Sequence, residues 1–257
     1  MNAILLEINN GIATITLNRP DKLNAFNREM AFAMQQALDD CKSDTVRCVM
    51  ITGAGKAFSA GQDLAEVVDP NGPGMDKILS EHYNPIITRI RALEKPVLAC
   101  INGVAAGAGA NIGLCCDIVV ATASASFIQA FSKIGLIPDS GGTYFLPRLI
   151  GWQKASALCM LGDKVSATEA EQMGMVYKVF PDADFNEAAF AMATSLSQLP
   201  TQALAFTKKA LNNSMIHSMD QQLQMEDRLQ QQASKTEDFK EGVAAFLEKR
   251  KPVFRGK

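Results

Sequence analysis

The chain has two histidines, one tryptophan and three tyrosines in 257 residues, no CxxC spacing among its six cysteines, and no surplus of positive charge. Each scarcity removes a class of function. With only His82 and His217, and no ligand at useful spacing from either, a metal site lacks donors. The cysteines (Cys41, Cys48, Cys100, Cys115, Cys116 and Cys159) lie mostly in apolar runs, where a free thiol behaves as a small hydrophobe. No disulfide framework is expected, and a cytoplasmic location is. Lys and Arg number 25 against 27 Asp and Glu, a net charge of −2, so nothing in the composition draws the chain to nucleic acid. The most apolar stretch, residues 96 to 128, is broken by Asn102, Asn111 and Asp117, so no membrane span is expected. The opening MNAILLEINNG meets Glu7 after a short apolar run and is not expected to act as a signal peptide.

What is present suffices for a large core: 47% of residues are hydrophobic and 20% charged, and the length fits one large domain or one domain with an appendage. Ile4 to Ile8, then Asn9-Asn10-Gly11, then an alternating run to Leu17 predicts a β-hairpin, because Asn-Gly tolerates the positive φ angles of a tight turn. A helix is expected from about Asn27, with Met30, Met34, Ala37, Leu38 and Cys41 at helical spacing. Val46 to Ile51 and Val97 to Ile101 read as strands, each ending in a turn of small residues, and Ile86 to Leu93 as an outer helix. The faint repetition suggests stacked strand-turn-helix units with their turns on one face. Ser166-Ala167-Thr168-Glu169 has the form of a capping box, Gly174 ends that helix, and Val176 to Phe180 is a strand. From Asn186 onward the chain reads as almost wholly helical, an apolar-faced region that must pack on the main domain or on another subunit.

Two glycine clusters invite a nucleotide reading and fail it. Gly107-Ala108-Gly109-Ala110-Asn111-Ile112-Gly113 is GxGxxxG, with no acid at the dinucleotide-binding distance, and Gly53-Ala54-Gly55-Lys56 lacks the full phosphate loop. Small residues at a turn or helix start do something else well: they let a ligand approach the backbone and leave N–H groups pointing outward. Such donors suit a developing oxyanion.

Asn18-Arg19-Pro20 with Asn24-Ala25, the segment Lys56 to Leu64, Lys95-Pro96-Val97, Asn102-Gly103, Gly107 to Asp117, Gly141-Gly142-Thr143 and the tail Gly242 to Lys251 together resemble the enoyl-CoA hydratase/isomerase (crotonase) superfamily, over nearly the whole chain. The resemblance implies an α/β crotonase fold: a spiral of ββα units over residues 1–195 holding the coenzyme A and acyl sites, and a helical region, 196–257, used in oligomerisation. It implies backbone oxyanion donors at Gln62 and Ala108, with the Gln62 side chain incidental. It also implies coenzyme A or substrate contacts at Arg19, Lys22, Leu23, Ala25, Ala60, Gly61, Asp63, Leu64, Gly107 and Phe131, with Phe246 and Lys249 able to reach a neighbouring subunit's ligand. The substrate would be an acyl-CoA thioester, no cofactor would be permanently bound, and the assembly would be a homotrimer or a dimer of trimers, with a hydratase of the same family as a further partner.

Departures from the family pattern sharpen the reaction. Hydratases carry two glutamates where this chain has Asn111 and Phe131, so water addition is not expected. Instead Asp139 stands where hydratases have glycine, which resembles the isomerase branches, in particular one that acts on a ring epoxide. Ile137, Ile134 and Phe131 are expected to supply an apolar setting that raises its pKa and makes it a proton shuttle. Read locally, an Asp between Pro138 and Ser140-Gly141-Gly142 is a turn residue. Isomerisation of ordinary enoyl-CoA chains needs the same parts; a non-catalytic acyl-CoA binder or scaffold does not need Asp139. A Ser80–His82 nucleophilic pair lacks a GxSxG elbow, which leaves His82 as a helix-surface residue. Met215, Met219 and Met225 are expected to be packing residues, and Glu66 with the Asp69 to Gly74 loop is expected to border the acyl pocket as a lid.

Overall fold

The computed structural model describes residues 2–257. Strands β1 (Ile4–Asn9) and β2 (Ile12–Leu17) pair antiparallel, Ile4 opposite Leu17 and Asn9 opposite Ile12. Asn10 and Gly11 turn between them at φ 51° and 80°, the positive pair that a two-residue hairpin requires. After a 3-10 turn, Pro20–Lys22, comes helix α1 (Arg28–Asp40), capped by the Asn27 side chain, which accepts from the Met30 N–H at 3.0 Å. Met30, Met34, Ala37 and Leu38 form its buried face.

The body then repeats a unit that places one strand in each of two sheets. Strands β3 (Cys48–Gly53) and β4 (Ala57–Ser59) lead to α2 (Leu64–Val67), α3 (Gly74–Lys77), a π-helix Ile78–Tyr83 and α4 (Asn84–Ala92). Next come β5 (Val97–Ile101), β6 (Val104–Ala106) and α5 (Gly107–Leu114). Strands β7 (Ile118–Thr122) and β8 (Ser126–Ile128) run through a 3-10 turn, Ala130–Ile134, into α6 (Gly142–Ile150) and α7 (Trp152–Leu161). Strand β9 (Lys164–Ser166), α8 (Ala167–Gln172) and β10 (Lys178–Phe180) complete the body. The larger sheet has the order β1-β2-β3-β5-β7-β10, parallel beyond the hairpin, and the smaller β4-β6-β8-β9. Because β3/β4, β5/β6 and β7/β8 each step from large sheet to small, the turns between units stack on one side.

Alternation along the central strands supplies two cores. Val97, Ala99 and Ile101 face the main core with Val49, Ile51 and helix α1, whereas Leu98 and Cys100 face Phe185, Ala189 and Ala193 of α9 (Phe185–Ser197) on the opposite side. A strand buried on both faces can be apolar throughout, which is why VLACI lacks a polar residue. Helices α10 (Thr201–Ser214), α11 (Met219–Ala233) and α12 (Glu237–Leu247) follow. Lys208 of α10 anchors them: its Nζ donates to Asp117 at 2.8 Å and to the Ile90 carbonyl at 2.7 Å. The chain end folds back under Asp238, whose carboxylate accepts from the N–H groups of Arg255 and Gly256 at 2.6 and 2.7 Å.

Ser166 and Glu169 form the expected capping box. Some expectations shift. The strand at Val176 begins at Lys178, because Met175 and Val176 are drawn back to the Ala170 carbonyl closing α8. Met219 is 75% exposed and does not pack on its own chain, since α11 leaves that side open. No helix among the described residues is long and apolar enough to cross a membrane.

Candidate active site

Two turns meet at the ends of β4 and β6, neighbouring strands of the smaller sheet. The first follows β4. Asn24, fully buried with φ 55°, donates to the carbonyls of Ala54 and Ala57 at 2.9 and 2.8 Å and accepts from the Arg19 N–H at 2.9 Å. Its own carbonyl accepts from Ser59 Oγ at 2.8 Å, and Ser59 Oγ in turn accepts from the Gly61 N–H at 3.2 Å. Phe26 brackets the next residue: its N–H donates to Gly61 O at 2.7 Å and its carbonyl accepts from Asp63 N–H at 2.8 Å. In an extended segment alternate amides face opposite ways, so the Gln62 N–H between them points away from Phe26.

The second turn opens α5, where Gly107 has φ 51° and Ala108 is the second helical residue. Amides in the first turn of a helix have no partner within it and carry the positive end of its dipole. The turns touch. A Cβ on Gly61 would lie 2.8 Å from the Ala106 carbonyl and 3.5 Å from the Ala108 nitrogen, and one on Gly109 would lie 2.5 Å from Ser59 Oγ. Only glycine permits this approach. Phe131 closes the same side, its ring 3.7 Å from where a Cβ on Gly107 would stand.

Asp139 is tied to the helix that carries Ala108. Asn111 Nδ2 donates to the Asp139 carbonyl at 2.8 Å, Asn111 Oδ1 accepts from Gln129 Nε2 at 2.8 Å, and the Gly142 N–H closes a turn onto Asp139 O at 2.8 Å. Ser140 and Gly141 take φ 52° and 75° in that turn, so Asp139 is both a turn residue and a carboxylate held beside α5. Burial pushes its pKa up, opposed by the Ser140 hydroxyl at 2.9 Å and a backbone N–H. Ile134 and Ile137 are not the cause, at 55% and 80% exposed. The loop turns them to the surface, while the next residues, Gly141 and Gly142, pack against Phe145, Ile87 and Asn111.

Several residues are held by contacts that no local pattern announces, and others stand at the surface. The Arg19 guanidinium bonds the Ala25 carbonyl at 2.5 Å and Asp63 Oδ2 at 2.9 Å, and Asp63 also caps α2. The Gln62 side chain is engaged: Oε1 accepts from the Tyr83 phenol at 2.8 Å and Nε2 donates to Glu66 at 3.0 Å. His82 is 1% exposed and lies 3.2 Å from an Arg28 nitrogen, because the π-helix turns it inward. Ser80 bonds the Asp76 carbonyl instead of His82. Lys22, Leu23 and Leu64 are exposed, Ala60 donates to the Leu23 carbonyl at 2.9 Å, and the Asp69 loop is closed by an N–H from Asn71 to its carboxylate. Phe246, 83% exposed, and Lys249 stand at the end of α12, outside this group. Tyr83, Ser59 and Gln129 were given no role in the sequence. Ser59 sits inside a recognisable motif, but no spacing signal links Tyr83 to Gln62. A cavity of about 580 Å³ beside Leu93, Lys95 and Phe206 contains none of these groups, so volume does not mark this site.

A backbone-donor pair beside one half-buried carboxylate, at the ends of neighbouring strands of the smaller sheet, defines a class. The sequence profile of the enoyl-CoA hydratase/isomerase family matches residues 7–257, and the chain belongs to that family as an enzyme of crotonase fold. It is 45% identical to the 1,2-epoxyphenylacetyl-CoA isomerase of Escherichia coli K12, covering all of both chains. It is 37% identical to the trans-2-decenoyl-[acyl-carrier-protein] isomerase of Streptococcus mutans, over 99% of this chain and 98% of that one. The crystal structure of an enoyl-CoA hydratase from Bacillus anthracis superposes with a TM-score of 0.95 at 33% identity, over 99% of this chain and 100% of that one.

Proposed function

We propose that this enzyme isomerises an acyl-CoA thioester through an enolate. Asp139 takes the proton α to the thioester carbonyl, the N–H groups of Gln62 and Ala108 hold the oxygen that becomes negative, and the proton is returned after the electrons have shifted. Substrate and product are therefore isomers. The observation that carries this reading is the half-buried Asp139 carboxylate, its loop bonded through Asn111 to the helix bearing Ala108, with an amide and a phenyl ring where water activation would need two acids. Full-length similarity to the Escherichia coli enzyme supports 1,2-epoxyphenylacetyl-CoA as substrate and an oxepin thioester as product. Coenzyme A enters as part of the substrate, and no permanent cofactor is required. The exposed Phe239, Val243, Phe246 and Leu247 of α12 support assembly through residues 196–257. The assembly proposed is a homotrimer or a dimer of trimers in the cytoplasm, with a hydratase of the same family as a further partner.

Asp139→Asn tests the chemistry. Loss of the base is expected to lower turnover by about 10² to 10⁴-fold with the fold intact; near-normal turnover in a folded variant would sink the assignment. A second reading, movement of a double bond between the 3,4 and 2,3 positions of a linear enoyl-CoA, is favoured by similarity to the Streptococcus mutans isomerase. Turnover of a linear 3-enoyl-CoA compared with the aryl epoxide thioester separates the two.

A further inference from the structure

Behind the first oxyanion turn lies a chain of polar side chains that the reaction has not yet been asked to use. It starts in the π-helix Ile78–Tyr83, a geometry that is rare and concentrates at functional sites. The wider turn brings both His82 and Tyr83 inside, at 1% and 0% exposure. The Tyr83 phenol donates to Gln62 Oε1 at 2.8 Å, Gln62 Nε2 donates to Glu66 Oε2 at 3.0 Å, and Glu66 Oε1 accepts from the N–H of Arg28, first residue of α1, at 2.7 Å. Tyr83 also packs on Phe26, ring centroids 6.0 Å apart, and Phe26 is the residue whose backbone brackets Gln62.

Gln62 needs such support. Gly61 before it sits at φ 91°, where nothing in the residue itself restrains the backbone, and the peptide plane it shares with Gln62 carries the donor. Both ends of the Gln62 amide are occupied, which holds the side chain in one rotamer and, with the Phe26 bracket, holds that plane. Burial, with Asp139, Glu66 and Asp63 nearby, keeps the Tyr83 phenol well above its ordinary pKa, so it remains a donor at every working pH. We infer that Tyr83, with Glu66, is a positioning residue that locks Gln62 through its side chain and thereby aims the Gln62 N–H at the enolate oxygen. The inference rests on the enolate reading given above.

Phenylacetyl-CoA in deuterated buffer is the probe. It lacks the epoxide, so exchange of its α protons, followed by NMR, reports enolate formation alone. In the full-length enzyme Tyr83→Phe is expected to lower the saturated exchange rate at least about tenfold, because a donor misplaced by a fraction of an ångström loses much of its effect. The half-saturation concentration should change by less than about threefold. The double variant Tyr83→Phe/Gln62→Leu removes the acceptor that Tyr83→Phe orphans, and with it the donor to Glu66. With no side chain left to grip, exchange should stay slow. Glu66→Gln, at a half-buried position, should show the same rate-only loss, and it serves where Tyr83→Phe does not fold. Wild-type exchange in both Tyr83→Phe and Glu66→Gln would overturn the inference, as would recovery of rate in the double variant. Absence of exchange in the wild-type enzyme would instead overturn the enolate reaction, and this inference with it.

Discussion

Gly109→Ala should separate the two oxyanion donors without touching either. The added methyl would lie 2.5 Å from Ser59 Oγ, 2.6 Å from Ser59 Cβ and 2.8 Å from the Ser59 carbonyl, against an ordinary contact of 3.4 Å or more. The turn after β4 and helix α5 must therefore part by about 0.6 to 0.9 Å, the difference between those figures. A rotamer change cannot absorb this, because a Cβ and a backbone oxygen are among the obstructing atoms. Two effects on stability oppose each other: alanine favours a helix over glycine by about 1 kcal/mol, while overpacking costs about 1 to 3 kcal/mol. The net loss should be about 0 to 2 kcal/mol, small enough to leave a folded enzyme. Activity has no such compensation. Ser59 holds Gly61, so Gln62 moves with it, and a shift near 1 Å is worth about 100-fold in rate. Steady-state turnover on the aryl epoxide thioester, with melting temperature measured in parallel, reads both effects. Turnover within twofold of wild type in a normally folded variant would refute the view that this glycine sets the spacing of the donors.

The acid limb of kcat/KM is expected to report Asp139. The carboxylate must be unprotonated to accept a proton, and burial raises its pKa, so activity should fall with decreasing pH around a midpoint above the ordinary 3.8; a midpoint at or below that value would contradict the assignment. The raised pKa also has a stability consequence. Its contribution is fully favourable below the unfolded pKa and is lost as pH rises through the folded one, so at neutral pH the ionised side chain is a net cost. Asp139→Asn, which keeps an acceptor for Ser140, should therefore melt at or above the wild-type temperature at pH 7, with the gap closing below about pH 4; a lower Tm at neutral pH would show that the carboxylate stabilises the fold. Asp117→Ala should cost about 3 to 5 kcal/mol in urea unfolding. It strips the partner from Lys208, which is 7% exposed, while Arg91 and the Val97 N–H lose an acceptor. A loss under about 1 kcal/mol would mean that the carbonyls of Ile90 and Lys95 satisfy Lys208 by themselves.

Local chemistry was legible wherever the signal and its cause lie within a few residues. Asn10-Gly11 forms the hairpin because both residues accept positive φ, Asn27 caps α1 three residues before the N–H it satisfies, and Ser166 with Glu169 closes a capping box. The small residues at Gly61 and Gly107 were readable as turns that free backbone N–H groups, and Asp139 as a carboxylate in place of a glycine. Contacts across long stretches of chain were not. The Tyr83 phenol meets Gln62 across 21 residues, Arg19 meets Asp63 across 44, and His82 meets Arg28 across 54. Whether His82 faced in or out depended on one π-turn, which no periodicity announces. Ile134 and Ile137 show the same limit in reverse: they are apolar by composition, yet the loop geometry turns them to solvent.

By itself, then, the sequence determined which turns are built of small residues, that an acid, Asp139, opens the Ser140-Gly141-Gly142 turn, and where most strands and caps fall, because glycine, asparagine and β-branched residues impose their backbone preferences locally. Only the tertiary structure decided how far apart the two donor turns stand, what buries Asp139 and what grips Gln62. Those depend on side chains packed between elements far apart in the chain, and packing is set by the whole core at once.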